Sequence, residues 1–384
     1  MDTPQSGMYG FQFLQPGYDY SITPELDENY LNGVSTFDLI LMAKHILGTQ
    51  PLDSPYKMIA ADINNSGTIT TLDAIQLRKL ILNIDLEFSN NTSWRFIPQA
   101  YDFPVPSNPW FETFPEVINV NDLAGELLDQ DFIGVKIGDL NGSAQPNALE
   151  AEPRNLEGIF KLNTADIAMK AGSEYRVAFT APEIGKIQGY QLTLSLDPEA
   201  AEVTDLVYGV AAEENFGMRF AKEGMITTSW HRSPVASAEA TTGSDELFSL
   251  VIRATTDAQL SDVLGVSSRY TAAEAYDLSG ATKDVAIEFT SGAVATAGFE
   301  LYQNTPNPFY GETRIDFYLP EPGEVTLEIR DDLGRLLLSR ENGFAAGPQS
   351  FRLTRADLPV TGVLYYSVSV DGWKATRKMI RLER

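Results

Sequence analysis

The chain has 384 residues and no cysteine, and its 53 acidic against 28 basic residues give a formal net charge of −25 at pH 7. This acidity makes nucleic acids and anionic membrane surfaces poor partners, and the lack of cysteine excludes disulfides and zinc–cysteine sites. No apolar run approaches the length of a membrane span, so we expect no transmembrane segment. The length suits roughly two to four domains.

Residues 1–24 lack the charged-then-apolar pattern of a secretory signal. Residues 7–13 alternate like a strand, and residues 16–22 resemble a closing hairpin. We therefore predict that residues 1–24 are the end of a β-sandwich repeat whose beginning is missing. On this interpretation the chain is the C-terminal part of a larger protein, and any export signal lies upstream.

A passage between residues 27 and 82 occurs twice, at a constant offset of 35 residues from Asp27 to Asp62 and from Asp38 to Asp73. Each copy joins a loop rich in carboxylate and amide side chains to an apolar helical stripe. Calcium prefers oxygen ligands, and alternate residues of such a loop can turn their side chains toward one centre. The repeat therefore predicts calcium loops.

The second copy follows the order Asp-x-Asn-x-Ser-Gly, in which Gly67 allows the sharp bend of a calcium loop. The predicted calcium ligands of this copy are Asp62, Asn64, Ser66, Thr68 through its carbonyl, Thr70 and Asp73.

The first copy departs from this order, because Leu31 and Asn32 stand where the serine and glycine should be. Leucine cannot bind calcium, so this site is expected to bind loosely or to recruit a neighbouring segment. Two helix N-caps without metal are the alternative, since Ser and Thr accept hydrogen bonds from free backbone N–H groups there. The predicted calcium ligands of the first copy are Asp27, Asn29, Gly33, Ser35 and Asp38.

Together the two loop–helix units, over residues 25–85, resemble a dockerin, a small calcium-dependent module that docks on cohesin domains. The resemblance implies calcium as the cofactor and a cohesin-type partner bound through the helix faces. By position, the residues expected to contact the partner are Met42, Ala43, His45, Gln76, Arg78 and Lys79.

An aromatic and proline-rich extension occupies residues 86–147. Trp94, Trp110 and Phe111 are predicted to pack over the repeat, with sugar stacking as the alternative. The extension ends in Asp139-x-Asn141-Gly142, which repeats the opening of a calcium loop. We expect a turn here, which these residues favour; a supply of oxygens to the incomplete first site is the alternative. A linker follows at residues 148–156.

Residues 157–297 read as an all-β domain, because short strands with period-two alternation, such as 190–196 and 247–252, are separated by turn clusters. The order of its strands resembles a cohesin-type jelly roll. If the resemblance holds, one chain carries a dockerin-like and a cohesin-like module. The two can pair within the chain, pair head-to-tail between chains, or bind foreign partners.

The last stretch, residues 298–384, contains Pro-Asn-Pro-Phe at 306–309, a Gly-x-x-Tyr-Tyr strand at 362–366 and Lys-Met at 378–379. With these motifs it is similar to the C-terminal sorting domain of the type IX secretion system of Bacteroidota. This resemblance implies an Ig-like β-sandwich, the secretion machinery as a partner, and release to the outer-membrane surface. An ordinary terminal β-sandwich is the alternative. The residues that carry the resemblance are Pro306, Asn307, Pro308, Phe309, Gly362, Tyr365, Tyr366, Lys378 and Met379.

Neither histidine, His45 or His231, lies in a nucleophile or zinc motif, and no glycine-rich phosphate loop occurs. We therefore predict no catalytic residue. The predicted fold is multidomain and mainly β, with a small helical calcium module before a cohesin-like jelly roll and an Ig-like sandwich. The predicted function is surface docking without catalysis; the alternative is the accessory, carbohydrate-binding tail of a secreted polysaccharide hydrolase or peptidase.

Overall fold

The computed structural model describes residues 7–145, 156–233, 246–290, 300–319, 322–331, 335–358, 360–370 and 373–382. The predicted linker at 148–156 lies outside these ranges except for its last residue. The described residues form a helical module, a large sandwich and a terminal sandwich. The predicted fold class, multidomain and mainly β with a small helical module, is confirmed.

The helical module covers the described residues up to 145. In chain order its elements are β1 (Tyr20–Ile22), α1 (Thr36–Ile46), α2 (Pro55–Ala61), α3 (Thr71–Ile81), β2 (Trp94–Pro98), β3 (Ile118–Val120) and β4 (Phe132–Lys136).

Helices α1 and α3 begin at equivalent places of the repeat. Ser35 and Thr70 are their N-caps, and in each helix the aspartate three residues later bonds back to the cap, which forms a capping box. Their apolar faces pack together and onto the extension, so the repeat and the extension share one core. That core includes Leu39, Met42, Leu77, Leu80, Phe88, Ile97, Phe114, Val135 and Ile137.

Strand β1 pairs in antiparallel register with β3. Residues 20–22 thus bond to the extension of the helical module. This differs from the prediction that residues 1–24 close a separate sandwich, because the strand finds its hydrogen-bond partners about a hundred residues downstream in the same unit.

The large sandwich contains most of the chain's strands. Its elements are β5 (Ile159–Ala165), β6 (Ala168–Met169), β7 (Glu174–Thr180), β8 (Ile187–Leu196), β9 (Ala201–Tyr208), β10 (Phe216–Gly217), β11 (Met225–His231), β12 (Glu246–Ala254), β13 (Ala258–Gln259), α4 (Leu260–Val263), β14 (Leu264–Ser267), β15 (Glu274–Asp277) and β16 (Thr282–Thr290).

One continuous path of paired strands runs β10-β11-β8-β15-β16-β5-β7-β12-β9, with β14 pairing to β8 and with β16 and β5 parallel. Along β8, side chains alternate between two faces. Tyr190, Leu192 and Leu194 enter the core, whereas Gln191 and Thr193 face outward. Both polar residues are nevertheless almost completely buried: Gln191 accepts the N–H of Thr36 from the helical module, and Thr193 is hydrogen-bonded to the backbone of Thr271.

The terminal sandwich is built from two sheets, with strand orders β17-β18-β21 and β20-β19-β22-β23. Its strands are β17 (Glu300–Leu301), β18 (Thr313–Leu319), β19 (Gly323–Asp331), β20 (Leu336–Phe344), β21 (Gly347–Leu353), β22 (Gly362–Val370) and β23 (Trp373–Arg381). The two sheets share an apolar core that includes Ile315, Leu327, Tyr366 and Met379. Across the described parts of the chain, none of the helices has the length and apolar character to cross a membrane.

Candidate calcium loops and docking interface

The loop at residues 62–73 closes on itself between α2 and α3. The carboxylate of Asp62 accepts the N–H groups of Ser66 and Gly67, both over 2.8 Å. At the other end, the carboxylate of Asp73 accepts the N–H of Thr70 over 2.8 Å and that of Asn64 over 3.3 Å. Both carboxylates are buried, and burial raises the pKa of Asp62.

An unsatisfied oxygen marks the inside of this loop. The side-chain oxygen of Asn64 is buried and has no hydrogen-bond partner among the described residues, which costs free energy unless something binds it. Asn64 lies between the two carboxylates in the ligand order that calcium requires. The residues therefore fit a calcium ion, which would be held by Asp62, Asn64, Ser66, the carbonyl of Thr68, and Asp73.

Thr70, the remaining predicted ligand of this loop, has a capping role. Its hydroxyl donates to Asp73 and accepts the N–H of Leu72. In the described part of the chain, no group of three or more His, Cys, Asp or Glu side chains converges as a metal site. The loop at 62–73 supplies only two carboxylates and completes its ligand set with neutral oxygens.

The structure does not assemble the first copy, residues 27–38, in the same way. Asp27 and Asn29 are exposed, and Asp27 accepts the hydroxyl of Tyr30 and the N–H of Ser93, both over 2.7 Å. The ammonium of the buried Lys136 donates to the carbonyl of Tyr30 over 2.8 Å. A positive charge thus lies on the backbone of the loop that was predicted to hold a cation.

Asp38, the last residue of the first copy, bonds to a distant segment instead. It is completely buried and accepts the N–H of Ser35 and the N–H of Leu140, both over 2.8 Å. Burial and the neighbouring charge of Asp139 raise the pKa of Asp38 to about 7. The carboxylate that interacts electrostatically with Asp38 is therefore that of Asp139.

The start of α1 contacts the outer face of the large sandwich. The N–H of Thr36 donates to the side-chain oxygen of Gln191 over 2.6 Å, and its hydroxyl lies 2.6 Å from that of Ser229. The ring of Phe37 packs against that of Tyr276 with centroids 5.3 Å apart. The Thr36 N–H and hydroxyl are thus paired with groups of the sandwich, as buried polar groups usually are.

The end of α3 contacts the same face. The last carbonyls of a helix lack intrahelical partners, and here the hydroxyls of Thr271 and Thr227 donate to the carbonyls of Ile81 and Leu82, each over 2.6 Å. The backbone comes so close that a Cβ on Gly217 would lie 2.3 Å from the carbonyl oxygen of Leu82. Only glycine permits this approach.

A charged residue from α3 reaches the edge of the interface. The guanidinium of Arg78 lies 3.3 Å from Nδ1 of His231. Burial, followed by the Arg78 charge, lowers the pKa of His231 to about 4. Burial also lowers the pKa of Arg78, whereas the charge of Glu214 raises it. His231 is therefore neutral at pH 7 and accepts a hydrogen bond from Arg78.

Of the predicted partner-binding residues, Arg78 lies at this interface. The prediction for Met42 is wrong, because its side chain is completely buried in the core of the helical module. Nδ1 of His45 accepts the N–H of Leu52 within the module. For Ala43, Gln76 and Lys79 the described residues show no hydrogen bond or ion pair to the large sandwich.

Sequence reasoning missed the helix ends, which make most of the contacts. The additional interface residues are Thr36, Phe37, Ile81, Leu82, Asn83 and Ile84. The signal that identifies them lies in the sandwich, where serine, threonine and glutamine occupy the outer face of β8 and β11.

The equivalent face of the repeat is exposed. Leu72, which corresponds to Phe37, is 51% exposed, and Leu47, which corresponds to Leu82, is 46% exposed. The large sandwich thus covers the start of α1 and the end of α3 but leaves their repeat-related counterparts open.

The aromatic residues of the extension pack locally. Trp110 lies against Gly67, with ring atoms 3.7 Å from the position of a Cβ, and Trp94 lies against Gly134. Phe111 is exposed. Trp110 thus covers the bend of the loop at residues 62–73.

The residues of the sorting resemblance have structural positions in the terminal sandwich. Phe309, Tyr366 and Met379 are buried in its core, and the Tyr366 hydroxyl donates to the Tyr302 carbonyl over 2.7 Å. The others lie in the Pro306–Pro308 turn or on β22 and β23, where Tyr365 pairs with Lys378 and Gly362 has a positive φ.

Comparisons with known proteins support part of this description. Residues 28–82 match the family of the Dockerin type I domain, which confirms the dockerin resemblance of the helical module. Among curated proteins, none matches the chain.

Similar solved structures each cover about a third of the chain. They include a type I cohesin–dockerin complex from Clostridium thermocellum (15% identity, 36% of this chain and 94% of that one, TM-score 0.27). A type II cohesin domain from the cellulosome of Acetivibrio cellulolyticus is 10% identical, and the match covers 34% of this chain and 92% of that one with a TM-score of 0.27. CaCohA2 from Clostridium acetobutylicum is 17% identical, and the match covers 35% of this chain and 94% of that one with a TM-score of 0.26.

Proposed function

We propose that this chain is a non-catalytic docking protein of the cell exterior whose dockerin-type helical module is bound by its own large sandwich, acting as the cohesin. The observation that carries the proposal is the capping of α3 by the sandwich. Hydroxyls of Thr227 and Thr271 satisfy the carbonyls of Leu82 and Ile81, inside a region that matches the dockerin family.

The outer face of β8 and β11 supports the same proposal. Gln191, Thr227 and Ser229 are each at most 2% exposed, and each is hydrogen-bonded to the helical module. Burying such groups unpaired would cost about 1–3 kcal/mol each. Their presence on a covered sheet face is therefore explained by a partner with matching groups, which the helix ends supply.

Calcium has a supporting role in this proposal. The loop at residues 62–73 leads directly into α3, whose last turn docks on the sandwich. An ion held by Asp62, Asn64 and Asp73 would fix the start of α3 and so its direction. Calcium would then stabilise the docked state, as binding to the folded form alone always does.

We further propose that the terminal sandwich is the sorting signal of the chain and is recognised by type IX secretion machinery. Support comes from the motif residues at 306–309, 362–366 and 378–379. The test is a reporter protein fused to residues 298–384 in a bacterium with that system. The proposal expects the reporter on the cell surface; retention in the periplasm would contradict it.

Docking within the chain is tested by hydrogen–deuterium exchange of the full chain with calcium, at two protein concentrations. The proposal expects slow exchange of the Thr36 N–H, which donates across the interface to Gln191, with the same rate at both concentrations. Exchange as fast as at the exposed residues 71–72 would contradict docking. Protection that grows with concentration would show that the docking is between chains.

A further inference from the structure

The segment that ends the extension reproduces the first half of a calcium loop, and residues 33–38 reproduce the second half. Residues 139–144 are DLNGSA, and residues 62–67, the first half of the complete loop, are DINNSG. Residues 33–38 are GVSTFD, and residues 68–73, the second half of the complete loop, are TITTLD. Aspartate, asparagine, serine and aspartate recur at positions 1, 3, 5 and 12. The apolar residues at positions 2 and 8 recur as well.

We propose that the first calcium site is a split loop, whose leading half is residues 139–144 and whose closing half is residues 33–38. This inference rests on the calcium role in the proposed function. Its oxygen ligands would be Asp139, Asn141, Ser143, the carbonyl of Gly33, and Asp38. Asp27 and Asn29 would not take part.

The leading halves of the two loops share two hydrogen bonds to the leading carboxylate. They differ at position 3, because the side-chain oxygen of Asn141 accepts the N–H of Ser143 over 2.9 Å, whereas that of Asn64 has no partner among the described residues. In the loop at 62–73, the N–H groups four and five residues after Asp62 donate to its two carboxylate oxygens, both over 2.8 Å. After Asp139 the N–H groups at the same positions, those of Ser143 and Ala144, donate to its two oxygens over 3.1 and 2.8 Å. The leading carboxylate is therefore held in the same orientation in both.

The backbone at position 4 also matches. Asn65 has a φ of +54° and Gly142 a φ of +75°, the left-handed region that asparagine and glycine tolerate best. The residues at position 2, Ile63 and Leu140, are at most 1% exposed. Each half-loop thus has a buried apolar residue at position 2 and a left-handed backbone bend at position 4.

The two halves meet where the continuous loop passes from position 6 to position 7. In the loop at 62–73, the Ser66 hydroxyl donates to the carbonyl of Thr68 over 3.2 Å. In the split loop, the Ser143 hydroxyl donates to the carbonyl of Gly33 over 3.0 Å. This carbonyl is a ligand position in calcium loops.

The junction is built for a close approach. A Cβ on Gly33 would lie 2.5 Å from the backbone of Ala144, and Gly33 has a φ of +72°. Beside it, the Asn32 side chain donates to the Gln145 carbonyl over 2.7 Å and accepts the Gln145 N–H over 3.0 Å. The residue that breaks the order of the first copy therefore pairs with the returning segment.

The closing halves agree as well. Asp38 accepts the N–H and hydroxyl of its cap Ser35 over 2.8 and 3.0 Å, and Asp73 makes the same two bonds with Thr70 at the same distances. The second oxygen of Asp38 accepts the N–H of Leu140. Through that bond the two halves are joined at both ends of the site.

The two arrangements share the closing half, and residues 27–32, the leading half of the contiguous arrangement, do not have the features of residues 62–67. Position 5 of the contiguous arrangement is Leu31, which has no oxygen in its side chain, and Asp27 is exposed and bonded to Ser93. The Lys136 ammonium on the Tyr30 carbonyl does not separate the two arrangements, because its charge also acts on Asp139 and Asp38. The split loop supplies two carboxylates and three neutral oxygens, the same set as at 62–73, so the ligand expected is again calcium.

The test is a calorimetric titration of the calcium-stripped full chain with calcium chloride, for the wild type and three variants. The split loop predicts two ions for the wild type, one for Asp139→Ala, one for Asp62→Ala and two for Asp27→Ala. Loss of an ion in Asp27→Ala but not in Asp139→Ala would overturn it in favour of the contiguous loop. A wild type that binds a single ion, lost in Asp62→Ala, would overturn it too.

A milder variant keeps the test valid if Asp139→Ala does not fold. Asp139→Asn preserves an acceptor for the N–H of Ser143 and removes only the charge, so one of the two ions should bind more weakly or be lost. Unchanged binding of both ions would overturn the split loop. Hydrogen exchange of the Thr36 N–H, which donates to Gln191 across the interface, reports docking separately, so failure of the split loop and failure of the proposed docking are distinguishable.

Discussion

The two copies of the repeat have similar sequences but different surroundings in the structure. The copy at 62–73 has a complete loop, and the start of the helix that follows is exposed at Leu72. The copy at 27–38 lacks a complete loop of its own, and the start of its helix is buried against the large sandwich through Thr36. The shared element is the capping box, which both helices need to begin.

This difference shows that equivalent positions of the two copies do not have equivalent roles. The role of each position depends on which other segment of the chain contacts it. The sandwich caps the end of α3, and the extension completes the loop that precedes α1. Paired substitutions at equivalent positions of the two copies therefore separate docking from folding.

The largest effect is expected from Leu82→Glu compared with Leu47→Glu. Leu82 is 1% exposed beneath Gly217, so a carboxylate there would be buried without a partner or would break the interface. We expect a loss of about 3 kcal/mol or more of docking free energy, measured as faster hydrogen exchange of the Thr36 N–H, which donates to Gln191 across the interface. Leu47→Glu, on the exposed counterpart, should change stability by less than about 0.5 kcal/mol.

The next effect is that of calcium removal. At a calcium concentration a hundredfold above Kd, an ion bound only by the folded state adds about 2.7 kcal/mol. Asp62→Ala should abolish the contribution of its loop to the calcium-induced rise in melting temperature. Asp27→Ala should keep the full rise and lower the melting temperature equally with and without calcium, because it loses the bond to Ser93. Equal calcium responses in the two variants would contradict this assignment.

Acid should weaken the docked state through His231. Its folded pKa of about 4 lies below the usual 6.5, so the undocked or unfolded chain binds the proton first as pH falls. The contribution of neutral His231 is fully present above about pH 6.5 and is lost between there and about pH 4, on the order of 3 kcal/mol.

The comparison that isolates this effect is His231→Gln, which keeps an acceptor for Arg78 and cannot titrate. Its stability should fall less steeply than that of the wild type between about pH 6.5 and about pH 4, as followed by urea unfolding. Parallel curves for the two proteins would show that His231 does not sense pH.

The smallest effect is expected from Thr36→Val against Thr71→Val. The first substitution leaves the buried hydroxyl of Ser229 without its partner, which costs about 1–2 kcal/mol. Thr71 is exposed, so the second should be almost neutral apart from helix propensity. Urea unfolding of the full chain measures both, and equal losses would contradict the interface.

Much of the fold and part of the site could be predicted from local pattern. The offset of 35 residues located both helices and their caps, because capping and apolar periodicity depend on neighbours in sequence. The Asp-x-Asn-x-Ser-Gly order located the complete loop for the same reason. Alternation of side chains indicated the two sandwiches.

The rest depends on contacts between distant residues. Helix-face reasoning selected Met42 as a partner contact because it treated the helices as exposed, whereas the extension covers that face with its own core residues. The meeting of residues 33–38 with residues 139–144 requires a chain return that no local pattern records. The resemblance of Asp139-x-Asn141 to a loop opening was visible in the sequence, but the supply of oxygens to the first site was only the alternative to a turn, because a turn explains the same residues locally.

The most direct test of docking within the chain is a disulfide between Thr36→Cys and Ser229→Cys. The two hydroxyl oxygens are 2.6 Å apart, and the chain has no cysteine of its own, so these are the only thiols present. Under mild oxidation at low protein concentration, the account predicts an intrachain disulfide in most molecules, found by mass spectrometry of the digested monomer. The matched control, Thr71→Cys with Ser229→Cys, should stay reduced. A control that oxidises as fast as the test pair, or disulfides only between chains, would contradict the account.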